Sequence, residues 1–450
     1  MENVIKLKKG LDINLKGKAT LKCTPFKLDK EYALVPDAFE GMTPKVVVRE
    51  GDHVKAGDPL FVNKKFPEVG FASPVSGKVT SVLRGERRKL LSVKVEADKT
   101  QEYVDFGKGK DPSRLSADEV LQHLLKAGLF GYLRQLPYAV SAEPSTMPKA
   151  IFVSAFRDMP LASDFSFELE GNENYFSAGL AALSRMAETH VGVSDKQSLS
   201  LADVKNVEIH TFSGPCPAGN VGVQVNHISP VNKGDVVWTV DPMAVIFIGR
   251  LFVEGKVDLR KRIAIAGSEV KEPTYAEVLV GQPIKSLLEQ QVDTHHHLRI
   301  INGNPLTGKP CSMDDYVGAL TSEITVIPEG DDRDEFIGWI MPRFKDFSSH
   351  RSYFSWLMGK KKEYALDARI KGGERHIIMS GEYDRVLPMD IYGEYLIKAI
   401  IAGDIDKMEQ LGIYEVSPED FAVAEFVDSS KLELQRIVRE GLDMLRKENA

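Results

Sequence analysis

The chain has 450 residues, of which 43% are hydrophobic and 27% are charged, and its formal net charge is −7. This composition is that of a soluble globular protein, and the length predicts about three domains. The apolar runs are far shorter than the ~20 residues of a membrane-spanning helix. The charged N-terminus has no apolar signal-peptide core. The sequence therefore predicts neither a transmembrane segment nor a signal peptide.

The cysteines and the charge distribution exclude several classes of site. Cys23, Cys216 and Cys311 lie far apart and form no C-x-x-C pair, which favours a reducing compartment and argues against an iron–sulfur or structural zinc site. The first 110 residues are net positive, which predicts docking to an acidic partner or to anionic headgroups, or else a solvated face. Their basic residues lack interleaved aromatic side chains, so no nucleic acid is expected as a partner.

Residues 1–110 predict a biotinyl/lipoyl-like β barrel with an N-terminal extension. Gly-Asp pairs at 51–52 and 57–58 supply turns between short alternating strands. In group-carrying domains of this type an exposed hairpin presents a modified lysine. Here the hairpin carries Lys64 and Lys65 without the small-Met-Lys-Met or acidic-Lys-aliphatic setting of such sites. The sequence predicts the barrel without its usual chemistry, and a biotinyl or lipoyl carrier is an alternative.

Residues 111–258 predict a three-layer, Rossmann-like α/β domain. The predicted elements are a helix from a capping box at 116 to Gly128, a strand at 150–156, a helix at 174–189, a strand at 204–212 and a buried apolar helix at 241–252. The assignments rest on helical spacing, capping residues and short apolar runs. The βαβ alternation predicts a parallel sheet.

The remainder of the chain predicts a β-grasp module followed by helices. Residues 259–330 contain a strand at 262–267, an extended segment at 273–277, a short helix at 283–288 and a strand at 298–305, which together indicate an SLBB-like β-grasp domain. Residues 331–450 form a mixed segment and a C-terminal helical domain. Its helices are expected after Pro388 and at the capping residues Asp404, Ser417 and Ser430. The fold class is thus a multidomain α/β protein.

Several stretches, spread over the whole chain and in a fixed order, resemble the NqrA family of the sodium-translocating NADH:quinone oxidoreductases. The matching stretches are 41–60, 73–77, 150–153, 214–219, 301–308 and 381–391. The resemblance implies a peripheral subunit on the cytoplasmic face of the bacterial inner membrane. Its complex would pass electrons from NADH, through flavins and iron centres on other subunits, to a quinone and export Na⁺. The implied partners are those membrane subunits, with quinone nearby.

More distant relatives of this family, RnfC and the flavin subunit of complex I, cradle a flavin in a glycine-rich loop. Here bulky side chains fill the matching run at 127–137, where backbone must approach a phosphate closely. The stretch that holds cluster cysteines in RnfC is 422–428 and contains none. We therefore expect no catalytic, cofactor-binding or metal-binding residues in this chain, and an RnfC-like electron-input subunit is the second alternative.

Two loops are further candidate sites. Three consecutive side chains on a strand cannot all face one ion, so the histidine run at 295–297 predicts a solvated loop. The loop at 214–219 follows a predicted strand, where open α/β sheets bind ligands, and we interpret it as an ancestral cofactor loop that is now a structural turn. Its Cys216 has no neighbouring histidine or basic residue, so no reactive thiolate is predicted.

Two C-terminal features are interpreted as structural. Asp384, Arg385 and Asp390 predict a buried ion pair between the helical domain and the body of the protein. The aromatic stretch at 353–356, followed by lysines at 360–362, predicts core packing or a subunit interface, with a quinone-accessible groove as the alternative.

Overall fold

The computed structural model describes residues 4–197, 204–331, 342–349, 351, 353–359 and 361–449. Within these ranges, every helix is too short or too polar to cross a lipid bilayer. The chain is of mixed α/β type and ends in a group of helices.

The N-terminal unit contains two small antiparallel sheets. The first nine strands are β1 (Ile5–Lys6), β2 (Thr20–Thr24), β3 (Glu31–Leu34), β4 (Pro44–Val46), β5 (His53–Val54), β6 (Pro59–Asn63), β7 (Gly70–Ala72), β8 (Gly77–Arg84) and β9 (Leu90–Ala97). One sheet has the order β3-β9-β8-β5 and the other β4-β6-β7. Alternate side chains of paired strands, such as Val79 and Val95, are buried inside. Strands β1 and β2 lie outside this unit and join the two larger sheets.

The second unit is a seven-stranded sheet with helices on both faces. Its elements are α1 (Ala117–Lys126), β10 (Leu133–Leu136), β11 (Val140–Ser141), β12 (Ala150–Ser154), α2 (Phe165–Leu169), α3 (Glu173–Met186), β13 (Glu188–Ser194), β14 (Val207–Ser213), α4 (Val221–Ile228), β15 (Val237–Val240) and α5 (Pro242–Glu254). The order is β1-β14-β13-β12-β15-β10-β11, and only β10 and β11 run antiparallel to their neighbours. Ile151 packs with α3 and α5, whereas Phe152 packs with α4.

Most predicted elements of this unit are confirmed, and several strands were missed. The Ser116 hydroxyl and the Glu119 carboxylate form the expected capping box at the start of α1, and Asp241 caps α5. The helix predicted to reach residue 189 ends at Met186, because the following residues form the buried strand β13. Strands β10, β11 and β15 are also absent from the prediction.

The third unit is a six-stranded sheet packed against one short helix. Its elements are β16 (Arg260–Ala266), β17 (Thr274–Leu279), α6 (Ile284–Leu288), β18 (Leu298–Asn302), β19 (Lys309–Cys311) and β20 (Glu323–Pro328). The order is β19-β18-β20-β16-β17-β2. Ile284 and Leu288 of α6 are buried with Val278 of β17. The strands predicted around 262–267 and 298–305 and the helix at 283–288 are confirmed.

The C-terminal unit is helical, as predicted. Its helices are α7 (Tyr383–Val386), α8 (Gly393–Ala402), α9 (Ile405–Gln410), α10 (Ala422–Val427) and α11 (Leu434–Glu448). Leu396 of α8 and Leu442 of α11 are buried in one cluster. Asp404 caps α9 as expected, accepting a bond from the Lys407 N–H at 3.1 Å. The predicted cap at Ser430 is wrong, because its hydroxyl instead accepts the Ile378 N–H at 2.9 Å.

Candidate functional site

The run at 127–137 forms part of the hydrophobic core. The ring centroids of Phe130 and Trp238 are 5.4 Å apart, and so are those of Tyr132 and Phe39 of the N-terminal unit. A Cβ added at Gly131 would lie 2.3 Å from the Phe71 ring. Aromatic side chains therefore fill the space beside the backbone of this run.

The same aromatic contacts hold the barrel against the α/β unit. Core residues of both units belong to one buried cluster. In carrier proteins the corresponding hairpin presents a modified lysine. Here this hairpin also contacts the α/β unit, because Lys65 Nζ lies 3.0 Å from Glu143 Oε1. A carrier domain must move between active sites, and this packing opposes such movement.

Helix α10 covers most of the stretch at 422–428. Ala422, Val423, Ala424 and Val427 are all buried in the helical core. The small and branched apolar side chains of this stretch therefore belong to the core.

A cavity of about 760 Å³ lies at the carboxyl ends of β12 and β15. Open α/β sheets bind ligands at this edge. All four parts of the chain contribute to its walls, including Val35 from the barrel, Asn304 from the third unit and Arg439 from α11. The loop at 214–219 reaches the cavity through Gly219, so this candidate site of the sequence lies beside it.

Arg157 is the centre of a buried ionic cluster in the cavity wall. Its guanidinium donates to Glu168 Oε2 at 2.9 Å, to Asp241 Oδ2 at 3.2 Å and to Ser163 Oγ at 3.1 Å. Burial raises the pKa of Glu168 to about 7, and the neighbouring Arg157 opposes this shift. Burial acts to lower the pKa of Arg157, but Glu168, Asp241 and Glu323 together hold that pKa above its ordinary value.

Lys261 supplies a second buried cation near this cluster. Its ammonium group donates to three backbone carbonyls, those of Gly318, Ala319 and Thr321, at 2.7–3.0 Å. Burial lowers the pKa of Lys261 to about 7. The carbonyl dipoles satisfy all three donors of the charged form.

Asp158 anchors the loop at 214–219. Its Oδ2 accepts the Gly219 N–H at 2.9 Å, while Oδ1 is buried and has no hydrogen-bond partner among the described residues. Burial raises the pKa of Asp158 to about 6. A Cβ at Gly219 would lie 2.7 Å from Asp158 Oδ1, so this close approach requires glycine.

Cys216 and the histidine run lie in different environments. Cys216 is buried, and its Sγ lies 3.6 Å from Met159 Sδ. Burial raises the pKa of the Cys216 thiol, which disfavours the reactive thiolate form. The run at 295–297 lies in an exposed loop before β18, where His297 contacts Asp331.

The buried ion pair predicted in the C-terminal part is wrong. Asp384, Arg385 and Asp390 are all exposed. Around these residues the contacts with the body involve main-chain atoms of the helical unit, because the Gly10 N–H donates to the carbonyl of Arg385 at 3.0 Å, and a His227 ring nitrogen lies 2.8 Å from the Pro388 carbonyl. Elsewhere the helical unit forms ion pairs with the body, such as that between Lys233 and Glu409.

The aromatic stretch at 353–356 is on the surface. The side chains of Phe354 and Trp356 are 53% and 45% exposed, so core packing is the wrong interpretation for both. Arg351 lies over the Trp356 ring at 5.2 Å. Lys360, which the sequence analysis grouped with this stretch, lies outside the described residues.

Arg157, Glu168 and Asp241 were not identified from the sequence. Their signal was weak: Arg157 lies three residues after the end of β12 and Asp241 directly after β15. Polar residues at the carboxyl ends of parallel strands are candidates for a site, but nothing in the sequence joins these two positions to Glu168.

Three family models match the chain. They are described as the NqrA N-terminal barrel-sandwich hybrid domain over residues 5–98, the NqrA second alpha/beta domain over 115–257 and the NQRA C-terminal domain over 262–312. The A subunit of the Na(+)-translocating NADH-quinone reductase of Rhodopirellula baltica is 33% identical over 99% of both chains. The A subunit of the Haemophilus influenzae reductase is 34% identical over 99% of this chain and 100% of its own length.

Proposed function

The chain belongs to the NqrA family, the A subunits of the Na⁺-translocating NADH-quinone reductases, and from this premise we propose that it is a peripheral, non-catalytic subunit that binds no flavin or iron–sulfur cluster. The observation that carries the proposal is the aromatic packing of Phe130 and Tyr132, which leaves no room for a phosphate beside the backbone. The flavins and iron centres of the complex would belong to other subunits. We place the chain on the cytoplasmic face of the membrane.

We further infer four units with the boundaries 1–110, 111–258, 259–330 and 331–450. The first would be biotinyl/lipoyl-like, the second Rossmann-like and the third β-grasp in type. The continuous cluster between barrel and α/β unit supports a fixed scaffold and speaks against the carrier alternative. The alternative of an RnfC-like electron-input subunit would require a loop and ligands whose positions are filled by apolar side chains.

We propose that the exposed apolar segment around Phe354 and Trp356 is the surface that docks onto the membrane subunits. Contiguous exposed apolar side chains mark interaction surfaces, and Leu357 and Met358 extend this one. The double variant Phe354→Ser/Trp356→Ser is expected to lose most of the Na⁺-stimulated NADH:quinone reductase activity that co-purifies with the tagged chain in mild detergent. Loss of two large apolar anchors at an interface weakens binding by about tenfold or more.

The matched control is Leu83→Ser, which removes a side chain of similar exposure from the barrel. It should retain co-purified activity. Full activity with the double variant would contradict the assigned docking surface, and a wild-type chain that purifies alone would contradict the peripheral-subunit proposal. Visible flavin absorbance of the purified chain would favour the electron-input alternative.

The quinone contact that the resemblance implies is a separate proposal, and we assign it to the central cavity. Its volume of about 760 Å³ suits a quinone head group. Phe156 and Leu320 supply apolar wall, and the lining also includes the polar side chains of Asn220 and Arg439. A short-tail ubiquinone is expected to bind the isolated chain saturably, and Leu320→Arg should weaken binding at least about tenfold by filling the cavity.

Isothermal titration measures this binding. Leu91→Arg, at an exposed position of β9, is the control and should bind like the wild type. Non-saturable partitioning of the quinone, equal in all three proteins, would contradict the assignment.

A further inference from the structure

Strands β13 and β14 bring two histidines and a glutamate together on one face of the central sheet. In the parallel register His190 is paired with Glu208, and His210 lies two residues further along β14. Residues at such positions share a face. Nδ1 of His190 lies 3.0 Å from Nε2 of His210, and Oε2 of Glu208 lies 3.8 Å and 3.6 Å from these two nitrogens.

These spacings fit the coordination sphere of one small cation. In a tetrahedral site with zinc–nitrogen bonds of about 2.0–2.1 Å, the ligand atoms are about 3.3 Å apart. The three distances lie close to that value, so an ion about 2.1 Å from every ligand atom can be placed with only small side-chain adjustments. We propose that His190, Glu208 and His210 form a Zn²⁺ site, with water in the fourth position.

The surroundings prepare the ligands for a metal. The His190 ring is held against the Phe152 ring at a centroid distance of 4.7 Å. Glu208 has a side chain that is 57% exposed, so an ion and its water can enter from solvent.

The position also indicates what the ion would do. Among the described residues, strand β1 pairs with β14 only at Phe212 and Ser213, so no described strand covers the edge beside Glu208 and His210. A metal bound by side chains of two strands would fasten β14 to β13 along this uncovered part. The site is therefore structural, and it is independent of the proposed docking surface and of the central cavity.

The test uses the full chain without an affinity tag, stripped of metal by chelator and titrated with ZnCl₂ in a calorimeter. We expect one Zn²⁺ per chain and a melting temperature that rises by about 3 °C or more at saturation. Glu208→Gln and His210→Gln each remove one ligand from a partly exposed position and should bind at least about tenfold more weakly.

The matched control is the triple variant His295→Gln/His296→Gln/His297→Gln, which removes the exposed histidine run and should bind like the wild type. X-ray absorption of the loaded protein should report two imidazoles and oxygen ligands. Absence of stoichiometric binding by the wild type would overturn the proposal. Unchanged binding by both single variants, or loss of binding only in the triple variant, would overturn it as well.

Discussion

Replacing Arg157 by methionine is expected to lower the free energy of unfolding by about 3–5 kcal/mol. The substitution keeps a long unbranched side chain but removes the cation that bonds Glu168 and Asp241. Glu168 is completely buried, so its carboxylate is left without compensation. Breaking one partner of such a pair is much more destabilising than replacing the whole pair. Urea unfolding at pH 8 measures the effect.

Two further variants separate this explanation from a general packing defect. Arg157→Met/Glu168→Gln removes the uncompensated carboxylate together with the cation and should recover much of the lost stability. Arg114→Met breaks an ion pair whose arginine side chain is 83% exposed and should change stability by less than about 0.5 kcal/mol. A double variant as unstable as Arg157→Met would show that the buried charge is not the cause.

Elements with strong local signals could be predicted from the sequence. The capping box at the start of α1 needs only Ser116 and Glu119, and its two backbone bonds, at 2.8 and 3.3 Å, are both present. Strand β15 has no such signal, because a four-residue run that is buried throughout shows no period. Strand β13 follows α3 without a turn residue, so its first residues continued the helical pattern.

The candidate sites likewise differ in how much of their signal is present in the local sequence. The bulk of residues 127–137 is visible in the sequence, and Phe130 and Tyr132 are buried in the core. The clusters around Arg157 and around His190 join side chains from separate strands and helices, and only the sheet topology brings them together. The histidines at 295–297, which are conspicuous because they are consecutive, lie in an exposed loop instead.

Asp420 is a buried carboxyl group where the C-terminal helices meet the α/β unit. Its Oδ2 accepts the N–H and the hydroxyl of Ser417, both at 2.8 Å, and Oδ1 lies 3.5 Å from Asn220 Nδ2. A Cβ at Gly222 of α4 would lie 2.4 Å from the carboxylate, so the two units are in tight contact here. Burial raises the pKa of Asp420 from 3.8 to about 7, and the neighbouring Glu419 adds to the shift.

The stability of the wild type, measured relative to Asp420→Asn, should therefore fall by about 2–3 kcal/mol between pH 5 and pH 8. Up to the folded pKa of about 7, the folded state holds a proton that the unfolded chain has released, so raising the pH favours unfolding. The amide stays neutral and lacks this dependence, while all other titrating groups cancel in the difference. Asp406→Asn, at an exposed position of α9, should follow the wild type throughout. Urea unfolding at several pH values measures the difference, and parallel profiles for the wild type and Asp420→Asn would show that Asp420 does not titrate in this range.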